Sequence, residues 1–447
     1  MLTAEDARNV AGDLLALRNK EYPLMRQLRE YADGDAVGVY MPRDAREEYR
    51  WIAKNARVNL IPKVVDAHVS SLYVDGYRSP DTGMNLPAWV DHWQTNRMDA
   101  RQTGVHRAAL EYGASYVAIL PGDSAPAWRP FSPRTMTTVY ADAVNDEWPE
   151  YALSVEADGE KLRMKLFAPE HIYTFSAKNA DSAPEFVGSE RHGVPWTPVV
   201  RFLSEYTLDG SAIGLVSRLI ELQNQVNLTT LNGLVAQVFA AFPQKWATGL
   251  EVPSDEQGRP VEPFKAAVNR LWIGEGEGTK FGQFDAAELG QYLSFREDTI
   301  RLACTVAHVP PHAVLGSLSN LSAESLAAAE VSKTRFEDMV RLLFGESWEQ
   351  AFLLSRWLAG ERSAVDDQAA EVVWRDTEAR SRAQIVDAAT KLRAIGFPLG
   401  YIAEMLGETP QAIPNLLAEI EAEQTAAAVA QAKSFGVISD VPVDAEV

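Results

Sequence analysis

Two histidines and a single cysteine lie close together in the sequence, at His308, His312 and Cys304. Histidines four positions apart share one face of a helix and could bind a metal ion there. Pro310 and Pro311 lie between them, and proline disrupts a helix, so we expect loop histidines and no metal. Cys304 is surrounded by apolar residues, so we expect a buried structural thiol rather than a nucleophile.

A glycine-rich run at 274–278 precedes Lys280 and superficially resembles a phosphate-binding loop. The spacing differs from that of a P-loop, and Glu275 and Glu277 would repel a phosphate group. We therefore expect a flexible turn and no nucleotide or other cofactor. The chain also lacks the G-x-S-x-G sequence that carries the nucleophile of many hydrolases.

Neighbouring carboxylates occur at Asp33 with Asp35 and at Asp366 with Asp367, in a chain with 62 acidic residues. Pairs of this kind arise by chance at that abundance. The sequence does not give the separation that carboxylate catalysis requires, so a hydrolase that uses such a pair stays as an alternative. No catalytic residue is predicted, and a chain of this length without a recognisable site favours a structural or assembly role.

The charge balance argues against a protein that grips DNA. Lys and Arg total 42 against 62 acidic residues, which gives a formal net charge of −20, whereas tight DNA binders present a basic face. An acidic surface still permits DNA nearby, because salt screens repulsion beyond about 8 to 10 Å. No apolar run approaches the roughly 18 residues of a membrane-spanning helix, and the N-terminus lacks signal-peptide features. We expect an intracellular protein.

Hydrophobic periodicity predicts an α+β fold that is mostly helical. A first helix is expected from Thr3, and a second should begin near Tyr22 and Pro23 and end around Gly34. Further helices are expected at 59–73 and 99–112. The helix at 99–112 leads into a strand at 115–120. Beyond it, strand patterns separated by turn residues predict a small antiparallel sheet, with strands at 135–140, 151–155, 162–167, 172–175 and 199–202.

One long helix is predicted over 211–242, and it has no charged residue between Leu222 and Phe242. An exposed helix face normally carries charge, and an unpaired charge in a packed interface costs several kcal/mol. We therefore expect this helix to pack against other copies of the chain. A buried central helix of a monomer is the alternative. The neutral polar residues expected at the interface are Gln223, Asn224, Asn227, Thr230 and Gln237.

The second half of the chain continues with a turn-rich insert at 243–287, which contains strand-like pieces at 245–248, 271–273 and 280–284. A returning helix is predicted over 288–308, followed by a loop over 309–321. Ser322 is a suitable N-cap for another long helix that reaches 360. A strand at 372–374, two or three helices over 378–423 and a disordered tail complete the prediction.

Several short motifs accompany this order of segments: NLIPKVVD at 59–66, LYVDGY at 72–77, TPVVRF at 197–202, VPPH at 309–312 and SNLSAESL at 319–326. Together they resemble the portal proteins of tailed bacteriophages, in the branch found in long-tailed phages of Gram-positive hosts, including actinobacteriophages. The resemblance covers about residues 5 to 425. It implies a ring of about twelve subunits at one capsid vertex, through which DNA is packaged and ejected.

The resemblance assigns a region of the portal fold to each segment. These regions are a wing (1–210), a first stem helix (211–242), a clip (243–287), a second stem helix (288–308), a tunnel loop (309–321), a long wing helix with connector (322–375), a crown (376–425) and a disordered tail (426–447).

The resemblance also implies residue roles. The tunnel loop would face DNA with His312, Leu315, Ser317, Leu318, Ser319 and Asn320, and the clip would include Trp246, Arg270, Trp272 and Lys280. The loop residues 313–321 include no Lys or Arg that could hold a phosphate group. An ordinary solvent-exposed connection between helices is the alternative for this loop.

The implied partners are other copies of the chain, the terminase packaging motor, head-completion and adaptor proteins, the major capsid and scaffold proteins, and double-stranded DNA without sequence specificity. No membrane and no enzymatic activity are implied. We expect the protein at the portal vertex of the virion, and in the host cytoplasm during assembly. A different virion ring, such as an adaptor, would lack this order of helices, insert and loop.

Overall fold

A computed structural model describes residues 1–35, 39, 43–44, 47–79, 85–241, 245–249, 257, 278, 280–283, 288–316, 323–367, 369–375, 382–408 and 412–434. The chain divides into two compact units. The first comprises Met1–Val69, Gly104–Ala118 and Pro130–Phe344, and the second comprises Ser70–Thr103, Ile119–Arg129 and Gly345–Val447.

Helices predominate in the part of the chain that the structure describes. The α-helices are α1 (Ala4–Asp33), α2 (Glu47–Asn55), α3 (Ile61–Val69), α4 (Met98–Tyr112), α5 (Leu215–Ala241), α6 (Leu289–Val306), α7 (Pro311–Leu315), α8 (Ala323–Leu358), α9 (Arg382–Ala394), α10 (Leu399–Met405) and α11 (Ile413–Ser434). A π-helix covers Trp89–Gln94, and a 3₁₀-helix covers Arg362–Asp366. Within these described ranges, no helix is both long and apolar enough to cross a membrane.

In the described ranges the strands form four small sheets. They are β1 (Val74–Arg78), β2 (Ala114–Leu120), β3 (Ala127–Phe131), β4 (Met136–Val139), β5 (Tyr151–Asp158), β6 (Lys161–Phe167), β7 (His171–Ala177), β8 (Glu185–Arg191), β9 (Val199–Leu203), β10 (Lys245–Thr248), β11 (Lys280–Gln283) and β12 (Glu371–Trp374). The sheet orders are β4-β5-β6-β7-β8, β3-β2-β9, β1-β12 and β10-β11. The five-stranded sheet is antiparallel throughout, so the predicted α+β class and antiparallel sheet are confirmed. The strand predicted at 199–202 is not part of it, because β9 pairs with β2 in a separate sheet.

Helix α1 is one continuous helix, and the predicted break near Pro23 is wrong. The Thr3 side chain caps its start by accepting the Asp6 N–H at 3.1 Å, and Gly34 ends it in the left-handed conformation. A proline inside a helix removes one hydrogen bond. Apolar residues are buried on both sides of this position, at Leu15 and Leu28, and their packing holds the two halves in one helix.

The core of the first unit lies between α1 and the five-stranded sheet. Leu14 and Leu15 of the helix pack in one cluster with Leu153, Leu166 and Phe175 of three adjacent strands. Burying a side chain of this size contributes about 1.5 to 3 kcal/mol. This contact fixes the N-terminal helix on the sheet of its own unit.

The core of the second unit is aromatic. Trp93 stacks on Trp89 with ring centroids 5.1 Å apart and meets the edge of Trp348 at 4.9 Å. Trp128 donates its indole N–H to the Ser355 hydroxyl at 3.0 Å, which satisfies a polar group that burial would otherwise leave unpaired. The unit therefore has a buried aromatic core of its own.

The C-terminal prediction needs a correction at its boundary. A disordered tail was expected from 426, but α11 is helical as far as Ser434. Alanine is the strongest helix former, and the alanine-rich sequence of 426–430 continues the helix where a poor former would end it. Residues 435–447 lie outside the described ranges.

Candidate functional site

Helices α5 and α6 form an antiparallel hairpin in the first unit. Val226 of α5 packs in one buried cluster with Ile300 and Cys304 of α6. Further along, the position of a Cβ on Gly233 lies 3.5 Å from Cβ of Tyr292, so the absence of a side chain allows the two helices to approach closely. The pairing of a long helix with a returning helix agrees with the sequence prediction.

Three of the polar residues predicted for a subunit interface have partners within the chain. Gln223 is buried; its side-chain carbonyl accepts the Leu60 N–H at 3.0 Å, and its amide donates to the Val58 carbonyl. Asn227 accepts the Val58 N–H at 3.0 Å, and Asn224 accepts the Tyr31 hydroxyl at 2.9 Å. The bonds of Gln223 and Asn227 hold the segment before α3 against α5, and the bond of Asn224 joins α5 to α1.

The remaining two residues of that set differ from each other. Thr230 donates to the Val226 carbonyl at 2.7 Å, a bond within the helix, whereas Gln237 is exposed. The absence of charge on α5 beyond Glu221 therefore has a partly intrachain cause, as the alternative of a buried helix implied, but the individual partners were not predicted. Hydrogen-bond partners from a distant segment leave no periodic signal in the sequence.

A different stripe of α5 is exposed in the single chain, and it is also uncharged beyond Glu221. It consists of Gln225, Leu228 and Asn232, with Val238 further along. Helix α6 adds three large apolar side chains that are more than half exposed: Leu293 at 53%, Phe295 at 57% and Leu302 at 52%. An exposed apolar surface on a packed hairpin is typical of an interaction face.

A β-hairpin follows α5 and precedes α6. In it Trp246 pairs with Gly282, and Thr248 pairs with Lys280. The indole of Trp246 lies where a Cβ of residue 282 would be, 2.4 Å from Cζ2, and both Trp246 and Phe281 are exposed. Arg270 and Trp272, the other two residues predicted for this insert, lie outside the described residues.

The end of α6 has the hydrogen bonds of a Schellman motif. The Val309 N–H donates to the Cys304 carbonyl at 2.9 Å, and the His308 N–H donates to the Thr305 carbonyl at 3.2 Å. His308 takes the left-handed conformation with φ of 56°, at a position where glycine is usual. The chain therefore turns sharply before α7.

The predicted loop after α6 contains the short helix α7, which begins after Pro310 and ends at Gly316. Leu315 packs against the hairpin cluster. His312 lies 3.3 Å from Glu330 Oε1, so its ring faces α8. Ser317, Leu318, Ser319 and Asn320, the other residues predicted to face DNA, lie outside the described residues.

The titratable groups of this region do not form a catalytic set. Burial raises the pKa of the Cys304 thiol, which keeps it protonated and unreactive. Burial lowers the pKa of His308, and the nearby charges of His68 and Arg218 act in the same direction. Among the described residues, no three His, Cys, Asp or Glu side chains are grouped as metal ligands.

The carboxylates named as possible pairs are partly used in ion pairs. Asp33 binds Arg29 at 2.6 Å, and Asp367 binds Arg356 at 2.8 Å. Ion-paired carboxylates of this kind serve stability. The arrangement does not support the hydrolase alternative.

Comparison with known proteins agrees with the arrangement of these elements. The sequence model of the family described as "Phage portal protein, SPP1 Gp6-like" matches residues 13–426. The portal protein of Mycobacterium phage L5 is 24% identical over 381 residues, which are 81% of this chain and 76% of the relative.

Three solved structures are also similar at low identity. One is titled "Virion of native gene transfer agent (GTA) particle", with a TM-score of 0.42, 14% identity and coverage of 85% of this chain and 99% of that one. The neck of the native particle, computed with C12 symmetry, has a TM-score of 0.42, 14% identity and coverage of 83% and 95%. The neck of the empty particle, computed with C6 symmetry, has a TM-score of 0.44 and 13% identity, and the match covers 85% of this chain and 98% of that one.

The match over most of the chain defines a structural component of a phage particle. The chain belongs to the SPP1 Gp6-like family of phage portal proteins. This family assigns it a portal role at the capsid vertex, as the sequence motifs predicted.

Proposed function

We propose that the hairpin of α5 and α6 is the stem of a portal ring of about twelve copies. The observation that supports this is the exposed surface of the hairpin, which is uncharged on α5 beyond Glu221 and carries exposed apolar side chains on α6. Leu293, Phe295 and Leu302 are each more than half exposed in the single chain. Phe295 and Leu302 are seven positions apart and lie on one face of α6, whereas Leu293 lies on the opposite side of the helix. Fully burying such a side chain contributes about 1.5 to 3 kcal/mol, so the neighbouring copies that cover them stabilise the ring.

The exposed stripe of α5 supplies the opposing surface in this proposal. Gln225, Leu228 and Asn232 lie on it without a charge among them, so a neighbouring hairpin covers them without leaving a buried unpaired ion. Gln237 belongs to the same interface. Gln223, Asn224, Asn227 and Thr230 act indirectly, because they fix the stripe in place from within the chain.

The other regions take the roles that the portal fold gives them. Residues 1–210 and 322–375 form the wing, 243–287 the clip, 309–321 the tunnel loop and 376–425 the crown, with 426–447 as the tail. In the clip, the exposed aromatic rings of Trp246 and Phe281 are contact points for partners, together with Lys280, Arg270 and Trp272. Aromatic side chains dominate the energetics of such contacts.

The clip docks the terminase packaging motor during packaging and the head-completion or adaptor proteins afterwards. The major capsid and scaffold proteins surround the ring, which assembles in the host cytoplasm. The protein itself performs no catalysis in this proposal. A separate motor supplies the energy for DNA movement.

Double-stranded DNA passes through the channel without sequence-specific contact. The net charge of −20 per chain gives a ring of about twelve copies a total of about −240, which disfavours tight binding of phosphates. In the proposed tunnel loop, the His312 ring lies next to the Glu330 carboxylate of α8. Loose contact permits movement without a preferred register.

The stem assignment is tested by placing a charge on the hairpin. Leu293→Glu and Leu302→Glu put a carboxylate into the proposed interface, and Leu208→Glu is the control, because Leu208 is 82% exposed outside the hairpin. We expect the control to form rings near twelve times 49.3 kDa by light scattering and electron microscopy. We expect both hairpin variants to stay small while keeping wild-type circular dichroism. Normal rings from both hairpin variants would show that this surface is not the interface.

A further inference from the structure

His68 of α3 is fully buried, and both of its ring nitrogens face an acceptor. Nε2 lies 2.8 Å from the Ala307 carbonyl oxygen, and Nδ1 lies 3.2 Å from Glu337 Oε1. A carbonyl oxygen only accepts hydrogen bonds, so Nε2 carries a hydrogen. A second proton must lie between Nδ1 and Glu337, either on the ring as an imidazolium or on the carboxyl group.

The carbonyl that His68 binds is at the end of α6. The last carbonyls of a helix lack partners within the helix, and Ala307 is the C-cap residue directly after α6. The next residue, His308, is in the left-handed conformation. A buried hydrogen bond at this point therefore fixes the position at which the chain leaves α6.

The same turn is held from the side of α8. The His308 ring stacks on Phe336 with centroids 5.1 Å apart and planes 11° apart, and its Nδ1 lies 3.2 Å from the Ser332 hydroxyl. Lys333 Nζ lies 3.3 Å from Glu337 Oε1. The Glu337 carboxylate therefore contacts both His68 of α3 and Lys333 of its own helix, α8. One buried histidine thus joins α3, the end of α6 and α8.

We infer that His68 is a positioning residue, and we name the set of His68, His308, Phe336 and Glu337 the histidine latch. Through the hydrogen bond to Ala307, the latch fixes the end of α6 against α8. The segment that starts at Val309 then leaves the hairpin in one direction only. The consequence for the channel rests on the proposed function, in which 309–321 is the tunnel loop. The latch itself does not depend on that function.

The chain has a built-in reporter of this latch. Cys304 is the single cysteine, is 1% exposed, and its carbonyl accepts the Val309 N–H of the turn. A buried thiol is alkylated only when the structure around it opens. The rate of Cys304 alkylation in the native full-length protein, at one fixed pH, therefore reports opening at the end of α6.

Three latch variants lead to two different expected results. His68→Ala and Glu337→Ala each leave a buried polar partner unsatisfied, and loss of such a bond shifts a local opening equilibrium by about tenfold or more. Glu337→Gln restores the bond, because the amide N–H donates to a neutral His68 Nδ1 while Nε2 keeps its bond to Ala307. We expect at least about tenfold faster alkylation in both alanine variants and the wild-type rate in Glu337→Gln.

Val155→Ala is the matched control, since Val155 is buried in the sheet core of the same unit and belongs to a different cluster. It lowers the overall stability without touching the latch, so we expect the wild-type alkylation rate under native conditions. Equal rates in His68→Ala and Val155→Ala would overturn the proposal, and so would a fast rate in Glu337→Gln. If His68→Ala does not fold, the Glu337→Ala and Glu337→Gln pair decides alone.

The channel consequence is measured separately in assembled particles. We expect particles with Glu337→Ala to retain less packaged DNA than wild-type particles, and Glu337→Gln particles to retain the wild-type amount. Faster alkylation with normal DNA retention would overturn the link to the tunnel loop and leave the latch standing. Slow alkylation would overturn the latch, whatever the state of the ring.

Discussion

The indole of Trp246 covers Gly282 on the opposite strand of the β10–β11 hairpin. A Cβ at position 282 would lie 2.4 Å from Cζ2 and 2.5 Å from Cε2 of that indole, closer than real Cβ atoms approach a ring. Glycine is therefore required for the ring to lie flat across the hairpin. The hairpin lies between the two helices of the proposed stem, so this contact shapes the surface of the proposed clip.

Gly282→Ala should displace the Trp246 ring and weaken docking of the packaging motor, while ring assembly continues. The clash affects only the exposed strands β10 and β11, so the helices α5 and α6 stay unaltered. Co-sedimentation of assembled rings with the motor measures docking. Gly290→Ala is the control, because a Cβ there meets nothing within 4 Å. Undiminished docking of Gly282→Ala rings would contradict a role for Trp246.

Deletion of 253–260 should also spare the ring and weaken motor docking, because these residues belong to the proposed clip and not to the stem. The same co-sedimentation assay measures the effect, and electron microscopy checks the ring. Rings that dock normally would count against the clip assignment. Apart from residue 257, this segment lies outside the described residues, so the prediction rests on its place in the sequence.

His308 is a second position where the backbone conformation limits the choice of residue. A left-handed conformation costs a non-glycine residue roughly 1 to 2 kcal/mol, and the stack on Phe336 offsets that cost here. His308→Ala should lose the stack and keep the strain, whereas His308→Gly loses the stack and relieves the strain. We expect His308→Gly to be more stable than His308→Ala by about 1 kcal/mol in urea unfolding. Equal stabilities would mean that the turn is unstrained.

The sequence predicted the order of elements well where periodicity is the signal. The long helices, the antiparallel sheet and the returning helix α6 all follow from apolar spacing, which local burial imposes. The continuity of α1 through Pro23 was missed, because packing on the sheet outweighs a local helix breaker. The roles of Gln223 and Asn227 were also missed, since their partners near residue 58 are distant in the sequence.

The histidine latch shows the same limit. His68 follows the apolar pattern of α3 and reads as a helix-face residue, and nothing in its spacing points to Glu337, far along the chain. The left-handed conformation of His308 is also invisible in composition, because glycine is the usual signal for it. Contacts between segments that are far apart in the sequence leave no local pattern from which they could be predicted.

Variants at Gly233 test how closely α5 and α6 pack. A Cβ there would lie 3.5 Å from Cβ of Tyr292, which is ordinary van der Waals contact. Gly233→Ala should therefore fit and stabilise the chain by about 0.5 to 1 kcal/mol through helix propensity. Gly233→Leu should force α5 and α6 apart and cost about 1 to 3 kcal/mol by overpacking. Thermal unfolding of both variants measures the difference, and equal shifts would show that the helices do not pack here.

His192 gives the first unit a dependence on pH. Nε2 donates to the Ala168 carbonyl at 2.9 Å, and Nδ1 accepts the Val194 N–H at 3.2 Å, so the neutral ring fits both partners. Burial lowers the pKa of His192. The unfolded chain then binds the proton more readily than the folded chain. The contribution of His192 to stability is therefore fully present above the ordinary histidine pKa of about 6.5, and it is lost as the pH falls below that value.

His192→Gln should reduce this loss, because a glutamine amide can donate to Ala168 and accept from Val194 at every pH. We expect the wild type to lose more stability than His192→Gln between about pH 7 and pH 5, measured by urea unfolding at each pH. Taking the difference between the two proteins removes the contributions of the other histidines, which titrate in both. Parallel profiles would show that His192 does not titrate on unfolding, and that the acid sensitivity of the unit has another source.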